Sequence, residues 1–586
     1  MKMSSVGKAM NMMSLWPALV NTLAVLATVA VVALEDTGWA LAAPLVPLAI
    51  LMWRQRRTLL GAPRGVGGLG RYLTARFILI AAAGAQLFVA EDLHALEIAG
   101  TLLALGALAI EPVVRSANGV AVPYASGFPE HEPRNDAAFP YGWIFPLNLL
   151  SLIALLLTGL AALPLILVAV ALSALSIGLA LFAFVDIIRR IRTRHRFQAN
   201  LFQTLETMAP VFYIYWNAPA RSAFQVTMWL PYLERLGVPF VLVTRTVPNF
   251  RQLAAVTDHP VLLRRSLTDL DELIVPSARG VFYVNNAMRN NHMVRYSQLT
   301  HIQLLHGESD KASSATPIIR MYDRDFVAGQ AAIDRFEKFG VSMPPDIFRI
   351  VGRPQVEDVD GERGPIGELA DRSVLYAPTW LGYQAETNYS SLPGGPAIVR
   401  GLLDRGCTVI FRPHPYSSRS PELRAACEEI REMLASDAGS TGREHLFGEI
   451  AENEMSVTDC FNAADAMISD VSAVVGDFLH SGKPLAMVSP RTGAEEFVEQ
   501  FPMARAAYVL VVEGGMSPNL DETLEKLIVT DPGREERLRW ATYYLGDIPR
   551  DSYADRFVQV AQAELGLISP DGVGDLAPTT APTGTV

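Results

Sequence analysis

The stretch Cys460–Leu479, CFNAADAMISDVSAVVGDFL, decides the predicted fold of this chain. A short apolar run, Ala466–Ile468, leads into the polar residues Ser469, Asp470 and Ser472, and an apolar pattern of helical period follows. This order is typical of a buried parallel strand that runs directly into a helix. The first amides of such a helix lack partners within it and carry the positive end of the helix dipole. The stretch therefore predicts a phosphate-binding strand end, although Asp470 or Ser472 could also be a plain helix cap.

Similar apolar runs recur on both sides of this stretch, and helix-like segments separate them. Near-continuous apolar strands that alternate with helices are typical of a parallel sheet covered on both faces. Two series of such runs predict two Rossmann-like domains, with a ligand cleft beyond the carboxyl ends of the strands. The predicted strands are 211–216, 239–243, 281–284, 302–305, 325–328 and 347–351, followed by 373–377, 408–411, 466–469, 484–488 and 507–511.

The domain boundaries follow from changes in composition along the 586 residues. Residues 1–196 are predicted to form a membrane region, and residues 197–355 and 373–565 the two Rossmann-like domains. The polar, Gly-rich segment 356–372 is predicted to be a linker. The tail 566–586 is rich in Pro, Gly and Thr and is predicted to be disordered.

The membrane region contains apolar segments long enough to cross a bilayer. Segments 73–90 and 95–114 are weaker, because Arg76, Glu97 and Glu111 interrupt them. We predict six spans, or four if the two weak ones fail. Basic residues precede the first span and follow the last, which predicts that both ends lie on the cytosolic side. The other predicted spans are 14–34, 38–53, 143–162 and 163–185.

A histidine follows the predicted strand 302–305, in the sequence His306-Gly307-Glu308-Ser309-Asp310-Lys311. A histidine at a strand end can take a proton near neutral pH, and the glycine allows close approach of a ligand. His306 is therefore a candidate base, and Lys311 a candidate screen for phosphate charge. A hydrogen-bonded turn histidine is the purely structural alternative.

Two further strand ends carry candidate phosphate ligands. Arg412-Pro413-His414-Pro415 follows the strand 408–411; Arg412 offers a planar fork to phosphate oxygens, and His414 a hydrogen bond or a proton. Thr379 follows the strand 373–377 and could bind a phosphate oxygen. A structural turn is the alternative for both motifs.

Composition excludes several classes of protein. A net charge of −11 argues against a general nucleic-acid binder. The three cysteines have no C-x-x-C spacing, which predicts reduced thiols and no structural zinc. No P-loop sequence and no H-E-x-x-H is present. The two D-x-D pairs, Asp323/Asp325 and Asp358/Asp360, fall at a strand entry and in the linker, so no metal cofactor is required.

The motifs taken in order resemble the CDP-glycerol glycerophosphotransferase family of bacteria, the teichoic-acid primases and polymerases. The resemblance covers roughly residues 205–560 and rests on H-G…K, D-x-x-F-V-A-G, G-R-P, Y-A-P-T-W, R-P-H-P and S-D-x-S-x-x-x-x-D-F. Each motif is weak by itself, whereas the ordered set is specific. Glu308-Ser309 and Ala473 depart from the family pattern.

The resemblance implies a GT-B fold and the transfer of glycerol phosphate from CDP-glycerol, with release of CMP. By analogy His306 is the base on the acceptor hydroxyl, and Arg412, His414, Thr379 and Ser472 hold the diphosphate. Asp470 contacts the donor glycerol or caps the helix. The implied partners are CDP-glycerol, a lipid-linked or polymeric glycan acceptor and membrane lipids, at a bacterial plasma membrane with the catalytic domain in the cytosol.

Two alternatives stay open at this stage. The first is a GT-B glycosyltransferase that uses a nucleotide sugar. The second is a non-catalytic membrane scaffold with a degenerate transferase domain. The presence of His306, Arg412, His414 and Asp470 together argues against the scaffold.

Overall fold

The structure is a computed structural model, and the chain divides into two compact units, Met1–Phe202 and Gln203–Val586. The residues that it describes are 15–34, 38–60, 65–89, 94–121, 123–128, 136–161, 165–219, 221–307, 310, 315–382, 388–512, 517–573 and 581–582.

The N-terminal unit is almost entirely helical. Among the described residues, four helical segments of this unit are long and apolar enough to cross a membrane: Leu15–Ala33, Ala95–Val120, Tyr141–Gly159 and Ile166–Met208. The number of spans, predicted as six or four, stays a prediction. The elements of this part of the chain are α1 Leu15–Ala33, α2 Gly38–Ala42, α3 Leu45–Leu60, α4 Leu73–Val89, α5 Ala95–Val120, the strand Ala125–Ser126, α6 Ile144–Ala161 and α7 Ile166–Met208.

Two segments of this unit differ from the predicted spans, each for a physical reason. The predicted span 38–53 is broken between α2 and α3 at Pro44, which has no N–H to continue a helix. In contrast, α5 keeps its length although it contains Glu111. Both oxygens of Glu111 are bound by Arg76 of α4, at 2.6 and 2.7 Å, and Asn148 donates to Oε1 at 2.8 Å. The two charges are buried together and hydrogen-bonded, which removes most of the cost of placing them among apolar helices.

Basic residues in the middle of α7 bind the carboxyl end of α5. Arg190 Nη1 donates to the carbonyl of Ala121 at 3.0 Å, and Arg194 Nη1 donates to the carbonyl of Val120 at 3.1 Å. Cations at the carboxyl end of a helix interact favourably with its dipole. Two of the five arginines at the end of the last span therefore have a structural role within this unit.

The first sheet of the C-terminal unit is parallel in the part described, and its seven strands within residues 203–586 lie in the order β3-β2-β1-β4-β5-β6-β7. This is the doubly wound Rossmann order, which reverses direction between β1 and β4. Ligands of such sheets bind at this switch point, beyond the carboxyl ends of the strands. The strands are β1 Phe212–Trp216, β2 Phe240–Thr244, β3 Val261–Leu263, β4 Gly280–Tyr283, β5 Thr300–Gln303, β6 Arg324–Val327 and β7 Phe348–Ile350.

The second sheet is also parallel and has the order β9-β8-β10-β11-β12. This is the flavodoxin-like order, with its switch point between β8 and β10. The predicted fold class, apolar helices followed by two Rossmann-like sheets of GT-B type, is confirmed. The strands are β8 Ser373–Ala377, β9 Thr408–Phe411, β10 Ala466–Ser469, β11 Leu485–Ser489 and β12 Tyr508–Val511.

Helices cover both sheets. The segment 223–236 contains two short helices, because Pro231 starts a new one after a break at Trp229. The α-helices are Phe224–Thr227, Leu230–Glu234, Val247–Ala254, Asn291–Val294, Gln330–Lys338, Gly395–Asp404, Pro421–Thr441, Val457–Ala463, Ala473–Leu479, Ala494–Gln500, Leu520–Glu525, Arg534–Leu545 and Tyr553–Glu564.

The segment 356–372 packs against the rest of the C-terminal unit. Val356 and Val359 are buried in the same core as Phe478 of the second sheet's helix layer. Arg363 Nε donates to Asp465 at 2.6 Å. The predicted linker therefore fixes the two sheets to each other, because apolar side chains at intervals within a polar segment are enough to anchor it.

The last long helix, Tyr553–Glu564, packs on the first sheet although the prediction counted it with the second domain. The ring of Phe557 packs against Trp229, with a centroid distance of 5.2 Å, and edge-on against Phe326, with a centroid distance of 6.1 Å. Glu564 accepts hydrogen bonds from two arginines of β6 and β7. The chain thus returns to its first sheet after completing the second.

Candidate active site

The first switch point is lined by amide side chains. Asn285, just beyond β4, donates from Nδ2 to the carbonyl of Asn217 at 3.2 Å and to Oε1 of Gln225 at 2.8 Å. The same oxygen of Gln225 accepts a hydrogen bond from Nε1 of Trp216, the last residue of β1, at 3.1 Å. A network of neutral amides therefore joins the ends of β1 and β4.

His306 lies against this network, three residues beyond the end of β5. Its Nδ1 is 2.8 Å from the carbonyl of Val284, and its Nε2 is 3.3 Å from Nε2 of Gln225. A carbonyl only accepts, so Nδ1 carries the hydrogen, and the lone pair of the neutral ring is on Nε2. The neighbouring Leu305 has a φ of +52°, a left-handed conformation that its own hydrogen bonds hold in place. The backbone is thus bent to place the imidazole at the switch point.

The surroundings of His306 favour its neutral form. Burial lowers the pKa of the imidazole below its ordinary value of 6.5, and the nearby positive charge of Arg353 lowers it further. The hydrogen bond to Val284 acts in the opposite direction and is weaker than burial. The ring is therefore unprotonated at neutral pH, as a base must be.

His414, at the carboxyl end of the second sheet, is held in the opposite tautomer. Its Nδ1 accepts a hydrogen bond from the backbone amide of Tyr416 at 3.1 Å, so the hydrogen of the neutral ring is on Nε2. Its own amide donates to the carbonyl of Pro378 at 3.0 Å, which ties this turn to the end of β8. The ring of Trp380 stacks on the imidazole, with centroids 6.0 Å apart. Trp380 therefore lines this turn and is only partly buried.

Asp470 organises the second switch point. Its Oδ2 accepts hydrogen bonds from the backbone amides of Thr379 at 2.6 Å and Ser391 at 3.1 Å. The hydroxyl of Ser469 donates to the carbonyl of Ala377 at 2.7 Å, again across β8 and β10. Both Asp470 and Ser469 are 0% exposed. They hold the main chain at the switch point, and the donor contact predicted for them stays a prediction.

Ser472, and not Asp470, is the N-cap residue of the helix Ala473–Leu479. The cap role predicted for Asp470 is wrong, because its carboxylate turns to the loop after β8. Thr379 is buried, and its carbonyl accepts a hydrogen bond from the hydroxyl of Ser390 at 2.6 Å. Asp470 thus positions Thr379 through its amide.

The two switch points meet at Gly307. A Cβ atom on Gly307 would lie 3.1 Å from the Cβ of Ala473, which is closer than nearly all such contacts. The glycine that follows His306 therefore permits the loop of the first sheet to touch the residue after Ser472. This contact places His306 and Ser472 next to the same point between the two sheets.

Arg353 makes a second contact between the first sheet and the helix Ala473–Leu479. Its Nε is 2.7 Å from Oδ1 of Asp477, on the helix that Ser472 caps, and its side chain is mostly buried. Gly352 has a φ of +73°, and any Cβ there would clash with Tyr553 at 2.2 Å. The G-R-P motif therefore links the first sheet to the helix layer of the second.

Arg412 makes a different set of contacts from those predicted. Its Nη1 donates to the carbonyls of Ala451 and Met455, the latter at 2.8 Å, and lies 3.7 Å from the sulfur of Cys460. These bonds fix the π-helical turn Ile450–Glu454. One end of the guanidinium is thus committed to the backbone, and the phosphate role of its other N–H groups stays a prediction.

Lys311 lies outside the described residues, so its predicted role is not tested.

Its neighbour Asp310 lies within the described residues, and the sequence analysis did not identify it as a site residue. Asp310 Oδ2 accepts hydrogen bonds from the amide of Met503 at 2.7 Å and the hydroxyl of Tyr544 at 2.9 Å. This acidic residue anchors the chain beyond His306 to the second domain. The only sequence signal was its position four residues after the histidine.

A cavity of about 290 Å³ opens at the carboxyl end of β11. Its lining is mixed, with hydroxyl, cationic, carboxylate and aromatic side chains. It adjoins the loop after β8 that Asp470 holds, since Tyr389 belongs to that loop. The lining residues are Tyr389, Ser489, Pro490, Arg491, Thr492, Glu496, Phe497 and Gln500. Within the described ranges, no group of three or more acidic, histidine or cysteine side chains has metal-binding geometry.

Several solved structures are similar to this chain in fold, at low identity. Two of them are structures described as UDP-N-acetylglucosamine 2-epimerases. The first, a putative epimerase from Listeria monocytogenes, is 14% identical, with a TM-score of 0.41, and the match covers 61% of this chain and 98% of the epimerase chain. The second is 18% identical, with a TM-score of 0.40 over 64% and 99%. The wall teichoic acid polymerase TagF is 11% identical, with a TM-score of 0.40 over 63% and 93%. A search of curated proteins found no match to the chain.

A sequence-family match is more specific. It contains every residue predicted for the second domain's site: Thr379, Arg412, His414, Ser469, Asp470 and Ser472. Residues 357–493 match the model of the CDP-glycerol:poly(glycerophosphate) glycerophosphotransferase family, and the predicted family resemblance is thereby confirmed for this part of the chain.

Proposed function

We propose that this chain is a membrane-bound transferase. It moves glycerol phosphate from CDP-glycerol to a hydroxyl of a lipid-linked or polymeric cell-wall acceptor and releases CMP. The family match over residues 357–493 supports the donor, because it covers the strand ends on which a diphosphate would rest. The remaining support comes from the geometry of the two histidines.

The observation that carries the proposal is the pair of oppositely held imidazoles. His306 has its lone pair on Nε2 and stays neutral, so it can accept a proton from a hydroxyl. His414 has its hydrogen on Nε2, so it can donate a hydrogen bond to a phosphate oxygen. One edge of the cleft thus suits an attacking alcohol, and the other suits a diphosphate.

These groups fit one balanced step. The acceptor oxygen forms a bond to the phosphorus that bears glycerol, and His306 takes the hydroxyl proton. The bond from that phosphorus to the bridging oxygen breaks, and CMP leaves with the electron pair. His414 hydrogen-bonds the diphosphate, and Asp470 keeps the amides after β8 in place. Positioning and charge stabilisation supply most of the rate in such a transfer.

The apolar helices of the N-terminal unit support the proposed location at a bacterial plasma membrane. An even number of spans would leave both ends of the helical unit on one side, and the basic residues around the predicted spans favour the cytosol as that side. The three cysteines are free and buried, as suits a reducing compartment. CDP-glycerol is then available to the catalytic domain, and a lipid-linked acceptor can reach it from the bilayer.

Release of CMP tests the proposal. The full chain, purified in detergent, is given CDP-glycerol with and without a membrane lipid extract. We expect CMP only when the extract is present, and a fall of about 100-fold or more in the His306→Ala and His414→Ala variants. The matched control is His259→Ala, since His259 precedes β3 at the opposite end of the sheet and pairs with Glu234 on the surface.

Other outcomes would select other functions. A nucleoside diphosphate released from a nucleotide sugar, with no CMP from CDP-glycerol, would identify a glycosyltransferase. No release from either donor, together with no CDP-glycerol binding by calorimetry, would identify a scaffold. Normal activity in His306→Ala would remove that residue from the mechanism.

A further inference from the structure

The side-chain amide of Gln225 has only one orientation that satisfies its neighbours. Its Oε1 faces Nε1 of Trp216 and Nδ2 of Asn285, at 3.1 and 2.8 Å. Both of these groups are donors and cannot accept. The oxygen of Gln225 is therefore fixed on their side, and its NH₂ group faces Nε2 of His306 at 3.3 Å.

Asn285 is fixed in turn, so the amide chain cannot reverse as a whole. Its Oδ1 accepts a hydrogen bond from the backbone amide of Ala287 at 3.2 Å, and its Nδ2 donates to the carbonyl of Asn217 at 3.2 Å. Backbone groups determine the direction of both bonds. Asn285, Gln225 and Trp216 are all at least nine-tenths buried, which makes an exchange for water costly.

We propose that Gln225 is a positioning residue that keeps His306 in its Nδ1-protonated neutral form, with the Nε2 lone pair reserved for the proton of an incoming hydroxyl. The carbonyl of Val284 holds the hydrogen on Nδ1 from one side. The NH₂ group of Gln225 faces the lone pair from the other side, in a bond long enough for a stronger donor to replace. Both ring nitrogens are thereby assigned by the protein before a substrate arrives.

Gln225 also opposes protonation of the ring by water. A hydrogen on Nε2 would point at the hydrogens of an amide that cannot turn its oxygen around. The imidazolium is therefore disfavoured at rest, and after transfer it gives its proton up to solvent. This role rests on the proposed function, in which His306 takes the proton of the acceptor hydroxyl.

Few charges face His306 from the elements packed around it. Arg353 lies close enough to disfavour the imidazolium, and its ion pair with Asp477 partly compensates that charge. The ring of Phe224 packs edge-on at 5.9 Å and is uncharged. Asp310 is engaged by Met503 and Tyr544. A new carboxylate at position 225 would therefore act on His306 without competition from an adjacent acid.

The test is the variant Gln225→Glu in the full chain. Glutamate keeps the oxygen that Trp216 and Asn285 require and replaces only the group that faces His306. The carboxylate stabilises the imidazolium, so the pH midpoint of His306 rises, by about 1 unit or more. The midpoint is measured from the rate at which diethylpyrocarbonate modifies His306, followed by peptide mass spectrometry. Gln252→Glu, in the same domain and without a contact to His306, is the matched control.

A midpoint that is the same in Gln225→Glu as in the wild type would overturn the proposal. If the variant does not fold, solid-state ¹⁵N NMR of histidine-labelled wild-type chain gives the answer, with His306→Ala to assign the signal. We expect the Nδ1–H tautomer at pH 7, and an Nε2–H tautomer would contradict the role of Gln225. Both readouts are independent of turnover. A shifted midpoint in a chain that releases no CMP would therefore uphold the positioning role and reject the proposed function.

Discussion

The two carboxyl edges of the C-terminal unit use opposite means to prepare a site. At the first sheet, neutral amides surround an imidazole, and burial keeps that imidazole uncharged. At the second sheet, a fully buried carboxylate, Asp470, binds two backbone amides and sets the path of the chain. The first edge thus tunes the side chain of the proposed base, His306, whereas at the second edge Asp470 fixes the path of the backbone. The comparison teaches that loss of His306 should affect the rate, whereas loss of Asp470 should affect folding.

The largest predicted effect on folding is at Asp470. Replacing it with alanine in Asp470→Ala leaves the amides of Thr379 and Ser391 buried without their charged acceptor. We expect the free energy of unfolding to fall by about 3 kcal/mol, from two charge-assisted hydrogen bonds. Denaturant unfolding of the full chain in detergent measures this loss. His306→Ala should leave that free energy nearly unchanged while it abolishes turnover, and equal destabilisation by both variants would contradict the comparison.

A smaller effect is expected where the two edges are joined, at the ion pair of Arg353 and Asp477. The Arg353→Met variant should lose about 1–2 kcal/mol, because Asp477 is partly exposed and water compensates for the lost partner. It should also raise the pKa of His306, since a nearby positive charge disappears. Thermal unfolding measures the loss of stability, and the pH midpoint of His306 modification by diethylpyrocarbonate measures the change in its pKa.

Arg295→Met is the matched control for this change. Arg295 pairs with Asp271, and both side chains are exposed, so the loss of stability should be much smaller than in Arg353→Met. A similar loss in the two variants would mean that the pair between Arg353 and Asp477 does not join the edges in solution.

The smallest effect is a pH dependence of stability that arises away from both edges. Burial lowers the pKa of His480 from 6.5 to about 4, and no described residue binds its Nε2. The unfolded chain takes up a proton near pH 6.5 and the folded chain does so only near pH 4. This histidine therefore favours folding above pH 6.5 and loses that contribution as the pH falls toward 4.

The variant His480→Phe keeps an aromatic ring against Tyr553 and removes the titrating group. We expect its melting temperature to fall less than that of the wild type when the pH is changed from 7 to 5. An equal fall in both proteins would assign the acid sensitivity to other groups.

Much of the fold could be predicted from the sequence, because strands buried on both faces give unbroken apolar runs. The predicted strands 373–377, 408–411 and 466–469 match the structure residue for residue. The strand Val261–Leu263 was missed, since it is three residues long and arginines follow it. The predicted span 38–53 is not one continuous helix, because Pro44 interrupts it.

The site was predictable only as far as each residue carried its own signal. His306 and His414 each lie three residues beyond the carboxyl end of a strand, which is where ligands of such sheets bind. Gln225 and Asn285 gave little signal, because their partners are distant in sequence and meet only through the order of the strands. Arg412 has the pattern of a phosphate ligand, yet a turn some 40 residues later takes up one end of its guanidinium.

The most direct test of the account is a structure of the full-length His306→Ala variant with CDP-glycerol bound. The account predicts that the diphosphate lies at the carboxyl edge of the second sheet, with an oxygen at about 3 Å from Nε2 of His414. It also predicts that the phosphorus bearing glycerol faces the space left by the His306 side chain. A donor that occupies the cavity at the end of β11 without contacting His414, or that binds at the amino ends of the strands, would contradict the central claim.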